Sequence, residues 1–259
     1  MRVEISVESA DGVRVAARAG AARVELRAGL SDGGLTSGAA LIEAATELAE
    51  VHVLVRPRPG DFRYSRDEVD LVVRDIAVAR RRGAAGVVVG ALAGDGTVAD
   101  DFARFDAAAE GLETTSHRAI DVSADSRQAL DRLADLGFTR VLTSGRHRSA
   151  LDGAPLIEEL ATRTSVTVMA CGGVRAANAA QVIAATGVDD LHVAPLRPAV
   201  CQLCAVRVPV ILRAGQAGYT SGASRSGCFA SDKRMLSRDR RRGGRGALVG
   251  GFVLAAAAG

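Results

Sequence analysis

The chain reads as an α/β protein, a (β/α)8 TIM-type barrel carrying an atypical, irregular basic C-terminal tail. Three observations predict this. Eight short apolar runs recur about every 25–30 residues, each the length of a strand buried on both faces. Amphipathic stretches separate them, and strict alternation of this kind implies parallel strands. The turn after the first run, Ser6-Val7-Glu8-Ser9, lacks the glycines that a doubly wound nucleotide-binding sheet needs there. With 259 residues, 48% of them hydrophobic, the chain can bury a full barrel core and is too apolar to be disordered.

The first run is Val3–Val7, and the stretch after it stops at Gly20. The second and third runs are Arg23–Leu26 and Val51–Val55. Over 66–82, Val69, Val72, Val73, Ile76, Ala77 and Ala79 form one apolar stripe, with Arg and Asp elsewhere, and the stretch stops at Gly83. Gly86–Val89 and Glu113–His117 are the fourth and fifth runs. Leu130, Leu133, Ala134 and Leu136 repeat the helical pattern over 126–136, which stops at Gly137. Arg140–Thr143, Val166–Ala170 and Asp190–Val193 complete the set, the last preceded by Gly187. Each of these four glycines supplies the left-handed residue on which a helix ends. The barrel domain is therefore placed at 1–196, with seven helices between its strands.

Composition breaks near Arg197. Residues 197–259 hold eleven Lys and Arg against two Asp, a net +9, whereas 1–196 hold 22 basic and 28 acidic side chains, a net −6. The Arg-rich run 238–245 suits RNA or acidic surfaces, but no aromatics interleave it to read bases. A divergent final helix with an irregular end, or a GC-rich gene read out of frame, accounts for the tail better. Recurrent glycines leave 200–246 irregular and allow at most a short helix over 247–258. Cys201 and Cys204 have redox or zinc spacing, yet no second pair completes a site.

Several classes are excluded. Four cysteines are too few for a disulfide scaffold. No apolar stretch reaches the ~20 residues of a membrane helix, and Met1-Arg2-Val3-Glu4 is no apolar leader. An aromatic content of 3% without Trp argues against base-stacking platforms. A cytoplasmic protein with no membrane partner and no specific nucleic acid is expected.

In a barrel, chemistry gathers where strands end. Glu25 interrupts an apolar strand; it is either a strut to Arg56 or His117, or a general base. Arg56 and Arg58 flank Pro57 and suit a carboxylate or phosphate, unless they anchor the loop through Asp61 and Asp67. His117 and Asp121, with Arg118 between them, offer an imidazole–carboxylate pair. Ser144-Gly145 and Gly172-Gly173 end the sixth and seventh strands and expose amides to an anion, or merely permit tight turns. His192 lies on the eighth strand. Cys171 is a packing thiol or a ligand. The catalytic candidates are thus Glu25, His117 and Asp121. The ligand-binding candidates are Arg56, Arg58, Asp61, Arg118, Ser144, Gly145, Gly172, Gly173 and His192. On the residues alone, a barrel enzyme for a small anionic substrate follows.

Six motifs in order carry a resemblance: RVELRAG, GGLTSG, VRPRPGDFRYS, SHRAIDVSAD, LGFTRVLTSG and GGVRAANAAQ. They resemble the CutC family of copper homeostasis proteins from about Val3 to Val193. The resemblance implies a cytoplasmic (β/α)8 barrel, commonly a homo-oligomer, that takes part in copper tolerance and trafficking, with Cu(I) binding proposed through its cysteines. Several members carry Cys where this chain has Ser6, Val7 and Arg27. Cu(I) prefers soft thiolates, which those three residues cannot replace. The resemblance therefore implies a role in copper homeostasis with direct Cu(I) binding in doubt, and copper as a cofactor rests on the resemblance alone.

Overall fold

The eight runs close on themselves. The computed structural model describes residues 1–194, together with 199–200 and 207–208. Strands β1 (Arg2–Val7), β2 (Arg23–Leu26), β3 (Val51–Leu54), β4 (Gly86–Val89), β5 (Glu113–Ser116), β6 (Arg140–Thr143), β7 (Thr167–Ala170) and β8 (Asp190–Val193) pair in parallel in chain order. Strand β1 pairs with both β2 and β8, so the sheet has no free edge. Each strand lies within one residue of its expected bounds: β1 starts at Arg2, β3 stops at Leu54, β5 at Ser116, and β7 starts at Thr167.

Seven helices fill the connections: α1 (Ala10–Arg18), α2 (Ala39–Thr46), α3 (Arg66–Arg81), α4 (Phe102–Ala108), α5 (Ser126–Asp135), α6 (Ala154–Arg163) and α7 (Ala179–Thr186). Local chemistry sets their ends. Ser65 caps α3 and receives Glu68 in return, a reciprocal capping box. Asp125 accepts from the first amides of α5. Gly20, Gly83, Gly137 and Gly187 all have positive φ, as expected of helix stops. The stripe on α3 buries Val69, Val72, Ile76 and Ala79 against the barrel.

The strands have two unlike faces. Val24, Leu26, Val51, Val53, Val87, Val89, Val141, Val168 and Leu191 point outward into the large apolar core shared with the helices. Side chains alternate along a strand, so the residues between them face inward: Glu4, Ser6, Arg23, Glu25, His52, Arg140, Asp190 and His192, all buried. The barrel interior is thus largely ionic, with Leu142, Met169 and Cys171 as a small apolar cluster inside it. Two glycines on the inner line of β4 make room for imidazoles. A Cβ on Gly86 would come 2.6 Å from His52 Cε1, and one on Gly90 would come 2.1 Å from His117 Cε1.

Ala199–Val200 and Arg207–Val208 form a short antiparallel pair. The rest of the segment expected to be irregular over 200–246, and the helix expected over 247–258, lie outside the described residues.

Candidate functional site

The inner residues form layers of ion pairs. At the N-terminal end of the barrel, Arg23 donates to Glu4 at 2.7 Å and to Asp190 at 3.0 Å. Arg140 donates to Asp190 at 3.3 Å and to Glu113 at 3.0 Å. His52 is sealed beside them with no hydrogen-bond partner for either ring nitrogen among the described residues. Burial pushes its pKa down to about 4, so it is a neutral ring at pH 7. Removing one member of such a buried network strands the other charge, a loss of about 3–5 kcal/mol.

One layer nearer the C-terminal ends, Glu4, His192 and Glu25 meet. Burial alone would raise the Glu4 pKa. The hydrogen bond and charge of His192, with Arg23 behind them, outweigh it and hold this carboxyl down at about 2. Glu4 is therefore an ionised acceptor, and His192 Nδ1, 2.7 Å away, donates its proton to it. That fixes the ring with Nε2 turned to Glu25, 3.8 Å off. Glu25 also accepts from Ser6 Oγ at 2.8 Å. A buried carboxylate orienting an imidazole, with a second carboxylate beside its far nitrogen, is an arrangement for moving a proton.

Arg27 stands just past β2 and is 8% exposed. Its Nε lies 3.9 Å from Glu25, and its guanidinium makes no hydrogen bond among the described residues. Cys171, just past β7, is also sealed, and burial pushes its thiol well above the usual range. It is a packing residue, not a thiolate.

The remaining candidates are placed differently from the sequence reading. His117 faces inward with Glu25 and His192, but it makes no pair with Asp121. Its Nδ1 accepts from the Ala119 amide at 3.2 Å, its ring packs on Phe62, and Nε2 has no partner among the described residues. Burial, then the Arg56 charge, pushes its pKa down to about 3. Asp121 turns away to the loop after β6, accepting from Thr143 Oγ1, the Ser144 and Arg146 amides, and Ser144 Oγ. Arg118 reaches the same cluster, donating to Asp121 at 2.8 Å and to Ser144 at 2.6 Å. A carboxylate so fully engaged ties two loops together and has no lone pair to spare as a base.

Arg56 grips the carbonyls of Asp32, Gly34 and Gly60, joining the loops after β2 and β3. Arg58 binds Asp61 and Glu68, so the loop-anchoring geometry holds, with Glu68 in place of the expected Asp67. Gly145 (φ +64) is packed against the Gly153 carbonyl, where no Cβ fits. Gly172 and Gly173 have positive φ, and their amides find no hydrogen-bond partner among the described residues. Glu25 and His192 thus share one centre with His117 facing the same interior, and Arg56, Arg58, Asp61 and Asp121 are committed to loops. The residues missed at the centre are Glu4, Ser6 and Arg27. Alternation in Arg23-Val24-Glu25-Leu26-Arg27 already puts both arginines on the side of Glu25.

Comparison with known proteins adds identity to this geometry. A family model described as CutC family matches residues 1–196. The chain belongs to the CutC family. A family protein CutC of Pasteurella multocida (strain Pm70) is 41% identical over 200 residues, covering 74% of this chain and 81% of the relative. Its CutC counterpart in Mesorhizobium japonicum is 42% identical over 200 residues, covering 75% and 78%. A Streptococcus agalactiae CutC crystal structure, described as a candidate copper homeostasis protein, superposes with a TM-score of 0.71 at 28% identity, covering 74% of this chain and 97% of that one. A Pyrococcus furiosus thiamine phosphate pyrophosphorylase, at 17% identity and a TM-score of 0.52, shares the barrel fold alone.

The CutC family name raises copper, and the inner face tests it. Ligand atoms of Glu4, Glu25 and His192 lie within 4.8 Å of one another, close enough for an ion. These are hard carboxylates with one imidazole, which Cu(I) does not favour. One His192 nitrogen is already bonded to Glu4, and Arg23 and Arg27 stand beside the two carboxylates. The donor set does not fit a Cu(I) centre.

Proposed function

We propose that this chain takes part in copper homeostasis, the role in which its Streptococcus agalactiae relative is described, without carrying Cu(I) on thiolates. Membership of the CutC family supports the first half. The observation that carries the second is the donor set: Ser6 and Arg27 at the centre, and Cys171 sealed in the barrel. Competition with a strong Cu(I) chelator tests it. The chelator should strip the purified protein completely. Stoichiometric Cu(I) that the unmodified protein retains against the chelator, and that is lost on Cys171→Ala or on replacement of Cys201, Cys204 and Cys228, would overturn the reading. The cytoplasmic location and the homo-oligomer belong to the same proposal. No described helix is long and apolar enough to cross a membrane.

A second reading draws on a specific observation, the Glu4–His192–Glu25 array inside the barrel. It supports an acid–base site for a small anionic compound, with Glu25 and His192 exchanging a proton with the ligand and Glu4 fixing the imidazole. Native mass spectrometry of the purified protein should find a retained small anion that Glu25→Gln alters in occupancy. A spectrum without any such adduct, under conditions that preserve weak complexes, counts against it.

A further inference from the structure

We infer that Arg27 is the anion-holding residue of the barrel mouth, taking the carboxylate or phosphate group of a small ligand in paired hydrogen bonds beside Glu25 and His192. This rests on the reading of the mouth as a small-molecule site. A guanidinium carries five N–H donors, and a buried one left unbonded is costly. The other arginines of the interior and mouth each bond through at least part of the guanidinium, although Arg23 Nη1 and Arg56 Nε are left without partners among the described residues. Arg23 binds Glu4 and Asp190, and Arg140 binds Asp190 and Glu113. Arg56 binds three carbonyls, and Arg118 binds Asp121 and Ser144. Arg27 is more than nine-tenths buried, yet among the described residues no group accepts a hydrogen bond from its guanidinium.

Its one ionic neighbour does not fill the gap. Glu25 stands 3.9 Å from Nε, beyond hydrogen-bond reach, and is already engaged by Ser6. Nε is the nitrogen nearest Glu25, so the two Nη atoms lie farther from it. They present the paired edge that matches a planar or tetrahedral oxyanion.

The position is also built for this side chain. Gly34 has φ +97, and a Cβ there would come 2.9 Å from Arg27 Cδ and 2.7 Å from Leu54. A bare glycine in the loop after β2 thus clears the path of the arginine stem. The loop itself is held in place by Arg56 through the Gly34 carbonyl. Arg56 accordingly acts as a positioning residue for Arg27.

Isothermal titration of the full chain with inorganic phosphate and, separately, with malonate tests the assignment and tells a phosphate site from a carboxylate site. At least one should bind at a single site per chain. Arg27→Gln should weaken that anion tenfold or more, and Arg127→Gln, a half-exposed arginine on α5 paired with Glu159, should leave it unchanged. Arg27→Lys keeps a charge beside Glu25 and so guards against a misfolded variant; it should fold and still bind several-fold more weakly, because an ammonium lacks the paired edge. Binding that survives Arg27→Gln and is lost in Arg118→Gln would overturn the role of Arg27 while keeping the mouth as an anion site. Failure of both anions to bind the unmodified chain would overturn the two readings together.

Discussion

Gly90 shows most directly how a single atom shapes this interior. The His117 ring occupies the space its Cβ would need, at 2.1 Å from Cε1. Overpacking of this kind typically costs about 1–3 kcal/mol, so Gly90→Ala should lower the urea midpoint by a corresponding amount. Removing the ring should relieve it: Gly90→Ala combined with His117→Ala is expected to lose less than the two single changes added together. A strictly additive double-mutant cycle would show that the two residues do not compete for one space. The sequence names both residues but gives no sign that they touch, because the contact crosses from β4 to the end of β5. The same limit hid the partner of Asp121. His117 is four residues away along the chain, yet the groups that claim the carboxylate are Thr143, Ser144 and Arg146 on the next strand's loop.

Elements were far more legible than contacts, for a physical reason. A strand or helix is specified by its own residues: short apolar runs, an apolar stripe at helical spacing, a glycine at the stop. All eight strands and both helical stripes therefore come out of the sequence within a residue or two. Caps follow the same local logic. Asp125 accepts from the Arg127 amide at 2.7 Å and the Gln128 amide at 3.3 Å. Asp125→Ala should cost about 1 kcal/mol, read from thermal or urea unfolding, and Asp125→Asn should restore most of it. What the element view missed was the inward face. Glu25 and His192 stood out as polar residues in apolar runs, but Glu4, Arg23 and Asp190 alternate with the same aliphatic side chains and line the interior with them. Their ion pairs join β1, β2, β6 and β8, and such pairings exist only once the barrel has closed.

At the scale of the whole molecule, the ionic interior predicts a response to pH. His52 and His117 are neutral in the folded barrel, pushed down to about 4 and about 3, while an unfolded chain takes up protons on histidine near its ordinary value of about 6.5. The unfolded state binds more protons as pH falls below that value, so stability declines from pH 6.5 toward 4, by at most about 1.4 kcal/mol per pH unit for each ring. Glu4, held at about 2, adds a further loss as the pH falls below its ordinary value of 4.5. Urea midpoints should therefore drop steadily between pH 7 and 4, and His52→Gln should flatten the upper part of that slope. Midpoints independent of pH across this range would show that the rings are not buried neutral. The route by which the interior forms carries its own consequence. Glu4 and His192 touch across 188 residues of chain, on the first and the eighth strands of the barrel. A growing polypeptide makes Glu4 on the first barrel strand and must wait for the other seven strands before that carboxylate meets its imidazole. The Glu4–His192–Glu25 cluster thus exists only once the ring has closed, and an unclosed chain, however much helix and strand it has already formed, lacks it.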